Sequence, residues 1–266
     1  MYYAAMAATG DAVPPPLRLI ADPVRWRLLR ELADGDLRVR ELVAATGEAQ
    51  NLVSYHLRRL RSGGLVTARR SSFDGRDTYY SLDLAGCAHA LAEAGAALHP
   101  GLASGSPALP PSVAGTPPWV RGALRQRRVL FLCTGNSGRS PMAAALLRHR
   151  AGRWARATSA GTEPRPLHPA AAAVLRDRYR IDISGHRPMR AAAVASESFD
   201  YVISLCDKAR EACPEFARSP RRVHWSLPDP AAGADSPSVV YARFDRLATE
   251  LTTRIDFLLP VLAEAG

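Results

Sequence analysis

Apolar residues recur at helical spacing through 17–33, at Leu19, Ile20, Val24, Leu28, Leu29 and Leu32. That period predicts an amphipathic helix. Asp22-Pro23, inside the stretch, is a good helix start. A second helix is predicted over 39–45, ending at Gly47, and a third over 48–61, ending at Ser62-Gly63-Gly64. Two short helices joined by a glycine-containing turn form a helix-turn-helix pattern. Strand-like runs at 65–70 and 78–82 flank a turn at Asp74-Gly75, which predicts a β-hairpin, or wing. An alanine-rich helix at 85–98 offers a surface for pairing two copies.

From residue 126 the pattern changes. Short apolar runs at 129–132, 157–160, 201–205 and 223–225 predict strands, and they alternate with helical stretches at 141–150, 169–178, 208–213 and 238–263. Such alternation predicts an α/β fold with a doubly wound parallel sheet, about four strands wide. Between the two patterns lie residues rich in Pro, Gly, Ser and Ala, a linker composition. The expected organisation is therefore a mainly α winged helix-turn-helix domain at 1–100, a linker at 101–125 and an α/β domain at 126–266.

The first α/β strand runs straight into Cys133-Thr134-Gly135-Asn136-Ser137-Gly138-Arg139-Ser140 and then a helix. Strand, polar loop and helix N-terminus together favour an anion, because backbone N–H groups converge there. The same field, with Arg139, favours the thiolate form of Cys133. The Arg139 guanidinium has the geometry to hold a tetrahedral oxyanion through two donors. The loop thus reads as an oxyanion cradle carrying a thiolate nucleophile.

The net charge of +10 is uneven: residues 1–120 hold 12 basic and 11 acidic side chains, and residues 121–266 hold 23 and 14. The surplus lies with the oxyanion loop and suits an anionic substrate. Only one basic residue, Lys208, is a lysine, which looks like a compositional bias. No stretch approaches the ~20 apolar residues of a membrane span, and residues 1–10 lack the pattern of a signal peptide. A cytoplasmic location is expected. In a reducing compartment, Cys87, Cys133, Cys206 and Cys213 are better read as catalytic, redox-active or metal-binding than as structural disulfides.

The third helix carries Gln50, Asn51, Ser54, Tyr55, His56, Arg58 and Arg59 at polar positions. Gln and Asn can pair with adenine, and Arg with guanine or phosphate. From 56 to 76 there are six arginines, among them Arg69, Arg70 and Arg76, against one acidic residue, Asp74. The patch suits phosphate contacts along a helix and wing.

Residues 17–98 resemble the arsenical-repressor family of winged helix-turn-helix regulators. The likeness is carried by Leu19-Ile20-Ala21-Asp22-Pro23-Val24-Arg25, Glu41-Leu42, Val53-Ser54-Tyr55-His56-Leu57-Arg58-Arg59-Leu60 and Gly64-Leu65-Val66. The resemblance implies a homodimer that binds operator DNA and leaves it on binding a metal or metalloid. Many members have a Cys-x-Cys pair where this chain has Arg38-Val39-Arg40. That family's arsenite site cannot form there. Cys87 is the module's only cysteine and reads as a packing residue, so no metal ligands are assigned.

Residues 127–263 resemble the low-molecular-weight tyrosine phosphatase fold and, within it, the thioredoxin-coupled arsenate reductases. Besides the Cys133 loop, the shared stretches are Ser159-Ala160-Gly161-Thr162, Ile181-Asp182-Ile183-Ser184 and Asp229-Pro230-Ala231. A phosphatase needs the thiolate, the loop and a general acid, for which Asp229 suits. An arsenate reductase also needs two electrons from thiols. Cys206 and Cys213 stand seven positions apart, about 10 Å along an intact helix. A disulfide needs Cα atoms within ~7 Å, so oxidation would have to remodel the segment.

The resemblance implies a relay. Cys133 attacks arsenate held by Arg139 and the loop amides, and Asp229 protonates the departing oxygen. Cys206 then attacks Cys133, and Cys213 attacks Cys206, leaving a disulfide for thioredoxin to reduce. The resemblance also implies that Asn136 holds the loop shape and Ser140 hydrogen-bonds the thiolate. Gly138 stands where relatives often have a further, non-relay cysteine. An acidic residue that helps bind potassium in some relatives is replaced in the 143–145 alanine run. No bound cofactor is expected. The leading reading is a fused transcriptional regulator and arsenate reductase in arsenic resistance. The alternatives are a phosphatase fused to a DNA-binding module, or a non-catalytic oxyanion sensor.

Overall fold

The structure is a computed structural model and describes residues 13–73, 75–99, 102, 126–213, 215–216, 220–233 and 236–264. Apart from Leu102, the predicted 101–125 linker lies outside the described residues. These residues form two compact units, one of residues up to 68 and from 80 to 102, the other of 69–79 and 126–264, so that the turn between the two hairpin strands groups with the C-terminal unit; the elements follow in chain order.

The N-terminal unit begins with α1 (Pro15–Ile20) and α2 (Pro23–Ala33). The single helix predicted over 17–33 is thus two. The Asp22 carboxylate accepts from the Val24 and Arg25 amides and Pro23 takes the first helical position, so the start signal cuts the periodic run. β1 (Leu37–Arg38) precedes α3 (Val39–Thr46), which the sequence pattern did not predict as a strand. Then come α4 (Gln50–Ser62), β2 (Val66–Arg70), β3 (Thr78–Leu82) and α5 (Leu84–Leu98). The small sheet has the order β1-β3-β2. Leu28, Leu32, Leu42, Val53, Leu57, Leu60 and Leu65 fill the core under these helices. At the 38–40 stretch, the Arg38 amide donates to the Glu41 carboxylate at 2.8 Å and the two side chains pair.

The C-terminal unit runs β4 (Arg127–Cys133), α6 (Arg139–Ala151), β5 (Ala155–Gly161), α7 (Pro169–Tyr179), a 3-10 turn (Ala191–Val194), β6 (Tyr201–Ser204), α8 (Asp207–Glu211), β7 (Arg221–His224) and α9 (Pro237–Glu264). The strands are parallel in the order β5-β4-β6-β7. Alternation along β4 sends Val129, Phe131 and Cys133 to one face, with residues of α6, α7 and α9. Leu130 and Leu132 go to the other, with Ala191, Val194 and Phe199. Both faces are covered, so the strands read as continuous apolar runs rather than alternating ones.

This topology positions the site. Chain order reverses at β4, which has β5 on one side and β6 on the other. The carboxyl end of the strand at such a reversal is where α/β sheets open a crevice. Cys133 is the last residue of β4, level with Gly161 at the end of β5. α8 ends at Glu211 rather than reaching Cys213. Cys206 therefore caps one end of a short helix and Cys213 lies beyond the other. No helix among the described residues is long and apolar enough to cross a membrane.

Candidate active site

Residues 134–138 turn tightly around the Cys133 sulfur. Asn136 sits in the left-handed region at φ 45°, a strained conformation for a side-chain-bearing residue. Its side chain is tied at both ends: Nδ2 donates to Ser140 Oγ at 2.9 Å, and Oδ1 accepts from the Met189 amide at 2.8 Å. Its carbonyl lies 3.0 Å from His186 Nε2. Burial pushes the His186 pKa below its ordinary value, against the opposing pull of that carbonyl. A neutral His186 can donate through Nε2 to the carbonyl.

The loop is also held from outside. The carbonyls of Cys133, Thr134, Gly135 and Ser137 accept from the amides of Thr162, Glu163, Arg165 and His168 at 2.8–3.3 Å. With its carbonyls committed to that connection, the loop turns the opposite edge of its peptides to the sulfur. The Asn136 amide donates to Cys133 Sγ at 3.2 Å, and Ser140 Oγ lies 3.0 Å from the same sulfur. Gly161 permits the close packing: a Cβ there would stand 2.6 Å from the Thr134 carbonyl and 2.8 Å from the Asn136 amide. At Gly138 a Cβ would stand 3.0 Å from the Phe244 ring. α9 thus fills the space that a larger residue at 138 would use.

Arg139 is 7% exposed, an unusual state for an arginine. Nη1 donates to the Leu227 carbonyl at 3.1 Å and Nη2 lies 3.4 Å from Asp229 Oδ2. The carbonyl fixes the guanidinium plane, and the ion pair brings the half-exposed Asp229 to the mouth of the loop. Cys133, Arg139 and Asp229 are therefore gathered at one place, from β4, α6 and the segment after β7.

Cys206 approaches the same loop from β6. Its Sγ lies 3.3 Å from the Oγ of Thr134, the residue after Cys133. Cys206 is buried and Cys213 half-buried, and none of the four cysteines is in a disulfide. Burial raises the Cys213 thiol above its ordinary pKa. Lys208, on α8, pairs with Glu163 at 2.7 Å, and that hydrogen bond holds the Glu163 carboxyl below its usual range. Cys87 packs in the other unit with its thiol pushed up to about 11, mainly by burial. Its Sγ lies 3.6 Å from the Leu65 carbonyl.

α4 presents Gln50, Asn51, Tyr55, Arg58 and Arg59 as exposed residues, with Ser54 half-exposed. Arg69 and Arg70 lie on β2, and Arg76 follows the turn. His56 is a correction: it is 6% exposed, with Nδ1 3.8 Å from Asp22. It shares the buried stripe of Val53, Leu57 and Leu60 and belongs to the packing of α4 on α2. No group of three or more His, Cys, Asp or Glu residues suited to a metal ion occurs among the described residues.

The 162–168 connection and the His186–Met189 stretch were not identified as parts of the site from sequence. Backbone donors carry no residue signature; Gly161 and the 181–184 stretch were the available signals.

Residues 128–265 match the family model for low molecular weight phosphotyrosine protein phosphatases, and residues 22–68 match that for arsR-family bacterial regulatory proteins. Arsenate reductases of Bacillus licheniformis and Bacillus subtilis are 33% and 31% identical over 132 residues, half of this chain and 94% of each relative. A solved thioredoxin-dependent arsenate reductase of Corynebacterium glutamicum aligns with 90% of this chain and 98% of its own at 21% identity and a TM-score of 0.42.

Proposed function

Given that the chain belongs to the low molecular weight phosphotyrosine protein phosphatase family, we propose that residues 126–266 reduce arsenate to arsenite by a three-cysteine relay. We further propose that residues 1–100, with their arsR-type helix-turn-helix, regulate transcription. The observation that carries the first reading is the second thiol at the loop: Cys206 Sγ, 3.3 Å from Thr134. Hydrolysis of a phosphate ester has no use for it, whereas reduction of arsenate requires it.

In the relay the Cys133 thiolate attacks arsenic, and Asp229 gives its proton to the departing oxygen. Arg139 and the loop amides hold the remaining oxygens. The Cys206 thiolate then attacks Cys133 Sγ. The S–As bond breaks, its electron pair goes to arsenic, and arsenic leaves as arsenite while a Cys133–Cys206 disulfide forms. Cys213 attacks Cys206, frees the Cys133 thiolate and leaves a Cys206–Cys213 disulfide. A thioredoxin dithiol reduces that bond. Such a cycle needs a reducing compartment, which supports a cytoplasmic location.

The test is arsenate turnover by the full chain with thioredoxin, thioredoxin reductase and NADPH, beside Cys133→Ser, Cys206→Ser and Cys213→Ser. NADPH consumption that needs all three cysteines supports the relay. Aryl phosphate hydrolysis that needs Cys133 alone, with no arsenate turnover, makes the module a phosphatase, the reading favoured by Cys133, Arg139 and Asp229 taken alone.

For the regulator, Gln50, Asn51, Ser54, Tyr55, Arg58 and Arg59 would contact operator DNA, with Arg70 and Arg76 on the phosphates; Arg69 is a correction, since its guanidinium pairs with Asp207 at 3.3 Å and donates to the Ser226 carbonyl at 2.7 Å. α5, which exposes Leu91 and Leu98, would pair two copies. Arg58→Ala should weaken DNA binding and lower its salt dependence by about one phosphate contact. Fluorescence anisotropy across a salt series reads both.

A further inference from the structure

A buried histidine backs the segment that carries Cys206. β6 ends at Ser204 and α8 begins at Asp207, so Leu205 and Cys206 bridge the two elements. His224, level with Ser204 on the neighbouring strand, reaches both ends of that bridge. Its Nδ1 lies 2.8 Å from Ser204 Oγ and its Nε2 3.1 Å from Asp207 Oδ1. Ser226 Oγ donates to the same carboxylate oxygen at 2.6 Å. The ring is 5% exposed and the carboxylate 1%.

Only one end of this network has a fixed direction, because Nδ1 faces both the Ser204 hydroxyl and the Ser204 carbonyl, 3.2 Å away. An ionised carboxylate only accepts, so Nε2 of His224 must carry the hydrogen. Burial alone would raise the Asp207 pKa. Hydrogen bonds, led by those from His224 and Ser226, more than offset it and hold the carboxyl well below its usual range. A buried polar network of this kind costs desolvation and persists where it fixes a geometry. Neither the attack of Cys133 nor the protonation by Asp229 uses it.

We propose that His224, with Ser204 and Asp207, is a positioning device for Cys206. It staples the backbone on both sides of the thiol and holds Sγ beside Thr134 for the attack on Cys133. Residues 208–212 stay outside the staple and rearrange when Cys213 reaches Cys206. The role rests on the relay proposed above.

The experiment compares the reduced full-length protein with His224→Phe, His224→Gln and Ser204→Ala in two readouts. One is the rate of iodoacetamide labelling at Cys133 and Cys206, resolved by peptide mass spectrometry. The other is the rate at which free thiols disappear after arsenate is added without thioredoxin. In His224→Phe, Cys206 should label faster, Cys133 should label at the wild-type rate, and arsenate-driven thiol loss should slow about 10- to 100-fold, as for a misplaced reacting group. His224→Gln, whose amide can still donate to Asp207, should recover most of that loss. Ser204→Ala should fall between wild type and His224→Phe.

Unchanged Cys206 labelling and thiol loss in His224→Phe would overturn the proposal. So would parallel acceleration of Cys133 labelling, which would signal general loosening. Wild-type protein that loses no thiols to arsenate would instead defeat the relay reading, while the labelling comparison still decides whether His224 positions Cys206.

Discussion

The loop at Cys133 and the segment at Cys206–Cys213, which the proposed relay would join, are built in opposite ways. The loop is held from several directions, by the amides of 162–168, by Met189 and His186 on Asn136, and by Ser140 beneath the sulfur. The thiol segment is anchored at its start by Asp207 and His224. The helix that starts there, Asp207–Glu211, is only five residues long, buries Ala209 and carries an exposed ion pair, Lys208–Glu163, and such pairs contribute little. An oxyanion cradle works by being fixed before the charge arrives. A thiol relay needs one part that stays and one that moves, and low local stability belongs to the moving part.

The largest effect should come from removing the acid. Asp229→Asn keeps the shape near Arg139 but cannot give a proton, and kcat for arsenate should fall on the order of 10²- to 10⁴-fold. Steady-state kinetics check this; an unchanged kcat would exclude Asp229 from proton transfer.

Asn136→Ala attacks the rigid half. It removes hydrogen bonds to Ser140 and Met189 while leaving a residue that resists the left-handed backbone. Stability should drop by about 2–3 kcal/mol, read by chemical denaturation. Phosphate should protect the variant less than it protects the wild type.

The mobile half should show itself through pH. The Cys213 thiol has a raised pKa because it is half-buried, so its thiolate fraction at neutral pH is small. The step from the Cys133–Cys206 disulfide to the Cys206–Cys213 disulfide should therefore quicken about tenfold per pH unit while the pH is below that pKa. Acid quenching and mass spectrometry should find the first disulfide accumulating at lower pH. A pH-independent ratio would contradict this.

Gly138→Ala should have the smallest effect. Its methyl would meet the Phe244 ring at 3.0 Å, costing about 1 kcal/mol of overpacking. Phe244→Leu in the same chain should recover part of the loss in thermal unfolding.

Much of the rigid half was legible because its chemistry is written in contiguous residues: an apolar strand, Cys133, the polar loop and Arg139. Its backing was not, because backbone amides from 162–168 have no side-chain signature. β4 and β5 extend two residues before and one after their apolar runs and β7 begins two residues earlier, because pairing continues past the apolar residues, whereas the runs at 201–205 and 223–225 overshoot β6 and β7 by one residue. In the N-terminal unit, Asp22-Pro23 carried the true helix start, but the surrounding period masked the break. His56 looks like a polar surface residue in the sequence, yet it falls at i+3 from Val53 and i−4 from Leu60, within the buried stripe. The end of α8 before Cys213 had no local marker, and its length was overestimated.

Mapping disulfides after a single exposure to arsenate tests the central claim most directly. With no thioredoxin present, wild-type protein should yield a Cys206–Cys213 disulfide, Cys213→Ser should stop at Cys133–Cys206, and Cys133→Ser should keep all its thiols. Thiols that stay reduced in the wild type, with aryl phosphate hydrolysis undiminished in Cys206→Ser, would contradict the account and leave the C-terminal module a phosphatase.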